Sequence, residues 1–178
     1  LAREGHIVYG AARRVDAMKP LEDFGVTPIR LDITDEASIK EALNLIIKKE
    51  NRIDVLVNNA GYGSYGAVED VRIEEAKMQF EVNIFGLARL TQLVLPYMRK
   101  QKSGRIINVG SMGGRLTSYF GAWYHATKYA LEAFSDGLRI EVADFGIDVS
   151  IIEPGGIKTD WGFIAADKLA ESAKGGAY

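Results

Sequence analysis

The sequence predicts an α/β fold built on a parallel sheet, and two observations support this class. Apolar segments of strand length alternate along the chain with longer segments whose apolar residues recur at helical spacing. Several strand segments end directly in small or polar residues, as strands do where they enter ligand-binding loops. With 178 residues, 47% of them hydrophobic and 26% charged, the chain is typical of one globular domain covering residues 1–178.

The composition excludes several classes of function. A net charge of −2 and a pI near 5.8 provide no basic field for nucleic acid or an anionic membrane surface. The apolar runs are far shorter than the ~18 residues of a membrane-spanning helix. The absence of cysteine excludes disulfides, thiolate metal sites and a cysteine nucleophile, and two histidines, His6 and His125, are too few and too far apart for a metal cluster. We therefore expect a small-molecule partner, and neither nucleic acid, membrane nor metal.

The first third of the chain contains two strand segments and a long helix. A helix end closed by Gly5 is followed at once by an apolar strand, and a second strand ends at Asp32. The helix over residues 38–50 is preceded by two capping residues, Thr34 and Asp35. One face of this helix is apolar and predicts packing against the sheet; its members are Ile39, Leu43, Ile46 and Ile47.

Polar and small residues interrupt the apolar pattern of the middle of the chain. A third strand segment ends in the run Asn58–Gly61, and the following Gly63–Gly66 is interpreted as a flexible surface loop. Residues 73–101 then show the pattern of one long, strongly apolar helix. Asn83 lies in the middle of that helix, as a misfit or as a hydrogen-bonded core group.

The strongest chemical signal lies between Ser111 and Lys128. Tyr124 and Lys128 are four residues apart at the start of a long predicted helix, so their side chains share one face. A free tyrosine loses its proton near pH ~10, and a lysine ammonium on the neighbouring turn favours the phenolate. Tyr124 is therefore a candidate general acid/base. Ser111 directly follows the apolar segment RIINVG, so its hydroxyl is expected at the carboxyl end of a strand, where open α/β sheets bind ligands.

These residues, with two further motifs in the same order, resemble the short-chain dehydrogenases/reductases. The further motifs are Asn58–Gly61 and the pair Pro154-Gly155 after the last strand segment, and the similarity runs from about Gly5 to Thr159. Tyrosine and lysine meet at this spacing on many ordinary helices, but the whole ordered set is far more specific. The resemblance implies a doubly wound, Rossmann-like parallel sheet and an NAD(P)-dependent oxidoreductase.

The resemblance also implies a reaction and a catalytic set. The protein would interconvert a carbonyl compound and its alcohol by hydride transfer, with the substrate oxygen held between Ser111 and Tyr124. Lys128 would lower the pKa of the tyrosine and hold the nicotinamide ribose. Asn83 would hold a helix distortion and a water that relays protons to the lysine.

NADP(H), preferred over NAD(H), is the implied cofactor. Arg13 lies at the strand end where NAD-binding relatives carry an acidic residue, and an arginine there suits a 2′-phosphate, with Arg14 assisting or facing water. The alternative is two solvated surface arginines. Further implied cofactor contacts are Asp32 and Ile33 at the adenine, Asn59, Ala60 and Gly61 beside the adenosine ribose, Tyr124 and Lys128, and Pro154, Gly155, Ile157 and Thr159 at the nicotinamide.

Aromatic residues give a weak indication of the substrate. Tyr119, Phe120 and Trp123 lie between Ser111 and Tyr124, where they either line a substrate pocket or pack within the loop and against a second subunit. Tyr119 and Phe120, together with Trp161 and Phe163, favour a hydrophobic carbonyl compound. His125, directly after Tyr124, is interpreted as structural because it points away from the shared face.

The expected assembly and location also follow from the resemblance. The apolar helix face around Leu87, Leu90 and Val94 is of the kind that pairs between subunits in this family, so we expect a homodimer or homotetramer. The chain begins without a signal-peptide pattern, which is compatible with a cytoplasmic enzyme.

The sequence departs from the family pattern at both ends. The first strand of the family and its glycine-rich, pyrophosphate-binding turn do not precede the opening helix end, and residues 161–178 correspond to only the start of the variable substrate lid. Because the first strand lies in the middle of the family's sheet, its absence would leave buried edges unpaired. We therefore expect a domain truncated at both ends that does not fold alone.

Three alternatives remain open at this stage. An epimerase or dehydratase of the extended branch uses the same tyrosine and lysine, but such enzymes are longer and the Asn-Asn-Ala-Gly segment favours the short branch. A non-catalytic NADP-binding regulator on the same scaffold would tend to lose the tyrosine or the lysine, and both are present. The chain could also be an inert fragment of an enzyme, since it lacks the glycine-rich turn.

Overall fold

The computed structural model describes residues 1–158, 161–174 and 177, and of Trp161 and Ile164 it describes the backbone alone. The chain divides into two compact units, Leu1–Asn51 and Arg52–Tyr178. The strands of both units are β1 (Val8–Ala12), β2 (Val26–Arg30), β3 (Val55–Asn58), β4 (Gly104–Val109) and β5 (Ile147–Ile152). The α-helices are α1 (Glu36–Glu50), α2 (Ile73–Phe80), α3 (Leu87–Gln101), α4 (Ala122–Val142) and α5 (Trp161–Ser172).

The first unit is a parallel strand pair with one long helix. β1 pairs with β2 in a register that runs from Val8 opposite Val26 to Ala12 opposite Arg30. A 3₁₀ segment, Val15–Phe24, connects the two strands. Helix α1 begins after Asp35, whose side chain accepts a hydrogen bond of 2.9 Å from the backbone N–H of Ala37. The predicted cap at Asp35 is therefore confirmed, whereas the hydroxyl of Thr34 donates to Asp32. Of the predicted packing face, Ile39 and Leu43 are buried, whereas Ile46 and Ile47 are only partly so.

The second unit is a three-stranded parallel sheet with helices between the strands. The strand order is β3-β4-β5, so β4 is central and is hydrogen-bonded on both edges. Its Ile106 is fully buried, as are Met98 of α3 and Leu131 of α4. These apolar side chains form the core on which the helices of the unit pack.

The predicted fold class is confirmed, because parallel strands alternate with helices in both units. Among the described strands, only β4 pairs on both edges, and β3 is one of the four that pair on one edge. Val55 and Val57 of β3 are about half exposed, so this edge combines unpaired backbone with apolar side chains. In the described part of the chain, no helix has the length and apolar character required to cross a membrane.

Three details of the sequence interpretation are corrected by the structure. The long helix predicted over residues 73–101 is divided by a π-helical turn, Glu81–Gly86, between α2 and α3. The surface loop predicted at Gly63–Gly66 is largely buried, since Gln79 exchanges hydrogen bonds with both backbone groups of Ser64. The helix face predicted to pair between subunits is already covered at Leu87 and Val94, so an assembly through these two side chains is not supported.

Replacement of Ile106 by alanine should lower the free energy of unfolding by about 2–5 kcal/mol, because the side chain has 0% exposure and its removal leaves a cavity. Ile152→Ala is the matched control, since this isoleucine is in the same sheet but 50% exposed, and should cost less than about 1 kcal/mol. Urea unfolding of both variants measures the difference. Equal losses of unfolding free energy in the two variants would show that β4 is not the centre of the core.

Candidate active site

Ser111 is held at the junction between the ends of β4 and β5. A 3₁₀ turn, Met112–Gly114, begins directly after it, and the Ser111 Oγ accepts a 3.0 Å hydrogen bond from the backbone N–H of Gly113. The flanking backbone is tied to the segment that ends β5: Gly110 N donates to Ile152 O at 2.7 Å, and Met112 N donates to Pro154 O at 3.0 Å. The serine hydroxyl therefore lies at the carboxyl edge of the sheet, as the sequence predicted.

Tyr124 and Lys128 lie near the beginning of α4, one turn apart and both buried, with exposures of 7% and 8%. The Ser111 side chain interacts with that of Tyr124 and lowers its pKa. The Lys128 Nζ donates a 2.9 Å hydrogen bond to the carbonyl of Val109, the last residue of β4, and lies 5.9 Å from the centre of the Tyr124 ring. The structure thus brings together the three polar side chains that the sequence singled out.

Burial dominates the proton affinities of this cluster. It raises the pKa of Tyr124, and the interaction with Ser111 opposes that rise. It lowers the pKa of Lys128 from 10.5 to about 8, and the negative charge of Glu132 opposes that fall. The predicted lowering of the tyrosine pKa by the lysine is therefore not what this structure shows. Burial therefore keeps Tyr124 a neutral phenol at neutral pH.

Asn83 lies inside the π-helical turn and connects three parts of the second unit. Its Nδ2 donates to the carbonyl of Tyr62 at 2.9 Å and to Thr127 Oγ1 at 3.0 Å, and its Oδ1 accepts from the backbone N–H of Tyr62 at 3.0 Å. Thr127 in turn donates to the Tyr124 carbonyl at 2.7 Å. The buried asparagine is thus a hydrogen-bonded core group, and the helix distortion expected at this position is present.

The end of β3 is fastened to the sheet by a buried amide network. Asn58 Nδ2 donates to Thr91 Oγ1 at 3.1 Å and to Asn108 Oδ1 at 2.9 Å, and Asn108 Nδ2 donates to Ser135 Oγ at 2.8 Å. The following residues, which the sequence assigned to a cofactor, are all exposed: Asn59, Ala60 and Gly61. A Cβ on Gly61 would lie 3.1 Å from Asn83 Oδ1, so only a glycine leaves this approach open without displacing the amide.

The segment after β5 carries the remaining candidates of the second unit. Pro154 is partly buried and bonded through its carbonyl to Met112, while Gly155 and Ile157 are exposed. A Cβ on Gly155 would lie 3.2 Å from the Met112 sulfur. Thr159 lies outside the described residues.

The candidates of the first unit lie at the carboxyl ends of β1 and β2. Arg13 and Arg14 follow β1 and are exposed. Asp32 follows β2, and its Oδ1 accepts hydrogen bonds from the backbone N–H and the hydroxyl of Thr34, at 3.0 and 2.7 Å. These bonds lower the pKa of Asp32, and the charges of Arg13 and Arg30 contribute further. The carboxylate is therefore ionised at neutral pH, with Ile33 buried beside it.

The structure also contains site residues that the sequence did not single out. The Tyr65 ring lies 5.6 Å from the Tyr124 ring, centre to centre. The buried Glu132 forms an ion pair with Arg115 at 2.9 Å. Its position one turn after Lys128 is the feature of the sequence that could have identified it as a neighbour of the site. Of the residues predicted to indicate a hydrophobic substrate, Tyr119 is 90% exposed, Phe163 is exposed and Phe120 is partly buried, and the side chain of Trp161 lies outside the described part of the chain.

Comparisons with known proteins agree with this geometry. The family model for short chain dehydrogenases matches residues 1–167. A probable short-chain type dehydrogenase/reductase of Helicobacter pylori, VdlC, is 40% identical over 161 residues, which are 90% of this chain and 59% of that protein. A 3-ketodihydrosphingosine reductase of Bacteroides thetaiotaomicron is 42% identical over 160 residues, which are 89% of this chain and 58% of that protein. The chain thus spans less than two thirds of the length of these curated relatives.

Two solved structures extend the comparison. The closed form of a serine dehydrogenase complexed with NADP+ gives a TM-score of 0.87 at 30% identity, covering 97% of this chain and 72% of that one. A short-chain dehydrogenase from Streptomyces avermitilis gives a TM-score of 0.85 at 42% identity, covering 88% of this chain and 60% of that one.

Replacement of Lys128 by methionine should stabilise the protein at pH 7. The lysine pKa falls from 10.5 unfolded to about 8 folded, so the unfolded state binds the proton more tightly. Below pH 8 the lysine therefore destabilises the fold by about 3 kcal/mol. The lost hydrogen bond to Val109 offsets about 1 kcal/mol of the gain. The advantage of the variant should shrink as the pH rises from 8 to 10.5.

Urea unfolding at pH 7 and pH 10 measures this effect. Lys40→Met is the control, since Lys40 is on the exposed face of α1, and it should show no such pH-dependent difference. A stability difference for Lys128→Met that is the same at both pH values would contradict the lowered pKa of Lys128.

Proposed function

Because the chain belongs to the short-chain dehydrogenase family, we propose that it transfers a hydride between NADP(H) and a carbonyl/alcohol pair. The observation that carries this proposal is the convergence of Ser111, the buried Tyr124 and, one turn further along α4, Lys128 at the carboxyl edge of β4. Two hydroxyls that converge at one edge of a parallel sheet can share a single substrate oxygen.

Each of the two units, considered by itself, carries groups suited to part of a dinucleotide with a 2′-phosphate. Arg13 and Arg14 are exposed at the end of β1, and a guanidinium forms charge-assisted hydrogen bonds to phosphate oxygens. Gly61 leaves open space beside Asn83 that a Cβ would fill. Lys128 uses one of its three donors on Val109, which leaves others for the ribose hydroxyls. When bound, NADP(H) supplies or accepts the hydride.

The side chains of this chain supply the proton for the substrate oxygen and stabilise the negative charge that builds on it. In the direction of reduction, the Ser111 hydroxyl donates a hydrogen bond to the substrate oxygen, and Tyr124 gives its proton to that oxygen as negative charge builds. Burial favours the neutral phenol, which is the form that a proton donor requires. Lys128 then stabilises the phenolate that remains. Asn83 fixes the backbone beside Tyr124 through Thr127. The water-linked proton path from Asn83 to the lysine is part of the proposal and rests on the family resemblance.

The relatives support the cofactor and the type of reaction. The serine dehydrogenase to which this chain is similar was solved with NADP+, and the Bacteroides relative is named as a reductase of a keto compound. A carbonyl substrate with an apolar portion fits the exposed aromatic ring of Tyr119 and the Tyr65 ring beside Tyr124.

Tyr124→Phe should lower kcat at least a hundredfold while leaving the affinity for NADPH within about twofold, because it removes the proton donor and keeps the ring. Turnover is followed as loss of NADPH absorbance with a panel of ketones and aldehydes, and affinity by isothermal titration. Tyr129→Phe, at an exposed position of the same helix, is the control and should leave kcat unchanged. Retained turnover in Tyr124→Phe would overturn the assignment.

Arg13→Ala should weaken NADPH binding by about tenfold or more, since a hydrogen bond to a charged group contributes ~1.5–3 kcal/mol, and should leave NADH binding unchanged. Arg14→Ala, at the neighbouring exposed position, should have a smaller effect. Titration of both variants with both cofactors measures this. If Arg13→Ala weakens the binding of both cofactors equally, or if the unaltered protein prefers NADH, Arg13 does not bind the 2′-phosphate.

A further inference from the structure

We propose that His125 is a positioning residue for Ser111, acting as a neutral imidazole in one fixed tautomer that holds the loop between Ser111 and Tyr124. The proposal rests on the function proposed above, in which the Ser111 hydroxyl contacts the substrate. His125 itself touches neither the hydroxyl of Ser111 nor that of Tyr124 among the contacts of the described residues.

Both nitrogens of the buried His125 ring are engaged by the loop that precedes it. Nδ1 lies 2.9 Å from the carbonyl oxygen of Gly113. Nε2 lies 3.0 Å from the backbone nitrogen of Ser118 and 2.9 Å from its Oγ. One ring therefore connects the turn next to Ser111 with the far part of the same loop.

These partners determine which nitrogen carries the proton. The backbone N–H of Ser118 can only donate, so Nε2 must accept and carries no proton. The carbonyl of Gly113 can only accept, so Nδ1 must donate and carries the proton. A doubly protonated ring would place an N–H against the N–H of Ser118. The loop geometry thus requires the neutral Nδ1–H form.

The contact with Gly113 reaches Ser111 directly. The N–H of Gly113 donates to Ser111 Oγ at 3.0 Å, and the N–H of Gly114 donates to the Ser111 carbonyl at 2.8 Å. His125 binds the carbonyl oxygen of the peptide group between Gly113 and Gly114. The N–H of that same peptide group belongs to Gly114 and donates to the carbonyl of Ser111. The ring thereby restricts the rotation of the turn that aims the serine hydroxyl at Tyr124.

The rest of the loop is shaped around the ring. A Cβ on Gly113 would lie 2.9 Å from Nδ1, and a Cβ on Gly121 would collide with Nε2, so both positions need glycine for reasons of space. Phe120 adopts a left-handed backbone conformation with φ of 60°, which is strained for an aromatic residue and persists only where neighbouring contacts enforce it. The loop conformation therefore depends on the side chain of His125.

Two substitutions of His125 test the contact made by Nδ1 and the contact made by Nε2 separately. His125→Asn keeps an amide nitrogen near the position of Nδ1 and can donate to Gly113, while His125→Gln keeps an oxygen near Nε2 and can accept from Ser118. We expect His125→Asn to retain kcat within about threefold and His125→Gln to lose about tenfold. NADPH affinity should stay unchanged in both variants. In a Ser111→Ala background the difference between the two should disappear, because the histidine acts through the serine.

Equal losses of kcat in both variants, or a difference that persists without the Ser111 hydroxyl, would overturn the positioning role. A second measurement does not depend on turnover. The ¹⁵N NMR shifts of the ring should show a protonated Nδ1 and an unprotonated Nε2 at neutral pH, with the exposed His6, the other of the two histidines, as internal reference. A protonated Nε2 would contradict the proposal. If the unaltered protein shows no turnover while this tautomer is present, the proposed function fails and the histidine contact stands.

Discussion

The buried amide of Asn83 is the interaction on which the candidate site depends. It makes three hydrogen bonds of 2.9–3.0 Å, to both backbone groups of Tyr62 and to Thr127. Each unmade partner would cost ~1–3 kcal/mol in a buried position. The Asn83 side chain thus connects the segment after β3 and the π-helical turn to Thr127 of α4, the residue directly before Lys128. The π-helical turn itself places the asparagine where all three bonds can form, which an uninterrupted helix would not guarantee.

Parallel strands supply the second constraint. Since β3, β4 and β5 run in one direction, the segments that follow them leave the same edge of their sheet. Ser111 follows β4, the Pro154 segment follows β5, and backbone hydrogen bonds join the two segments. Helix α4 then places Tyr124 against Ser111, and Lys128 binds the final carbonyl of β4. The chemistry of the site is therefore a consequence of strand direction and of one loop that returns to the sheet.

Much of this arrangement could be predicted from the sequence. The spacing of Tyr124 and Lys128 places them on one helical face, and the position of Ser111 after an apolar segment places it at a strand end. One extra residue rotates the later side chains of a helix by ~100°. The π-helical turn could not be derived from apolar periodicity, because residues 82–95 are apolar at so many positions that this rotation leaves no visible change in the pattern. An asparagine in an apolar helix was the one signal. Its role was suggested by family resemblance rather than by spacing.

Other features depend on contacts that no local pattern encodes. The burial of the Gly63–Gly66 loop arises from Gln79, a polar residue that serves the backbone of Ser64 from another element. His125 follows Tyr124 in sequence, so it leaves the catalytic face, yet the loop folds back onto it. The raised pKa of Tyr124 depends on the degree of burial, which outweighs the opposing interaction with Ser111.

A crystal structure of the protein with NADP+ bound would decide most directly whether this edge of the sheet is an active site. We predict the nicotinamide beside Tyr124, with Lys128 Nζ within about 3 Å of the ribose hydroxyls and with the hydroxyls of Ser111 and Tyr124 facing one common space. A nicotinamide bound away from Tyr124, with Lys128 still bonded to Val109 and not to the ribose, would contradict it.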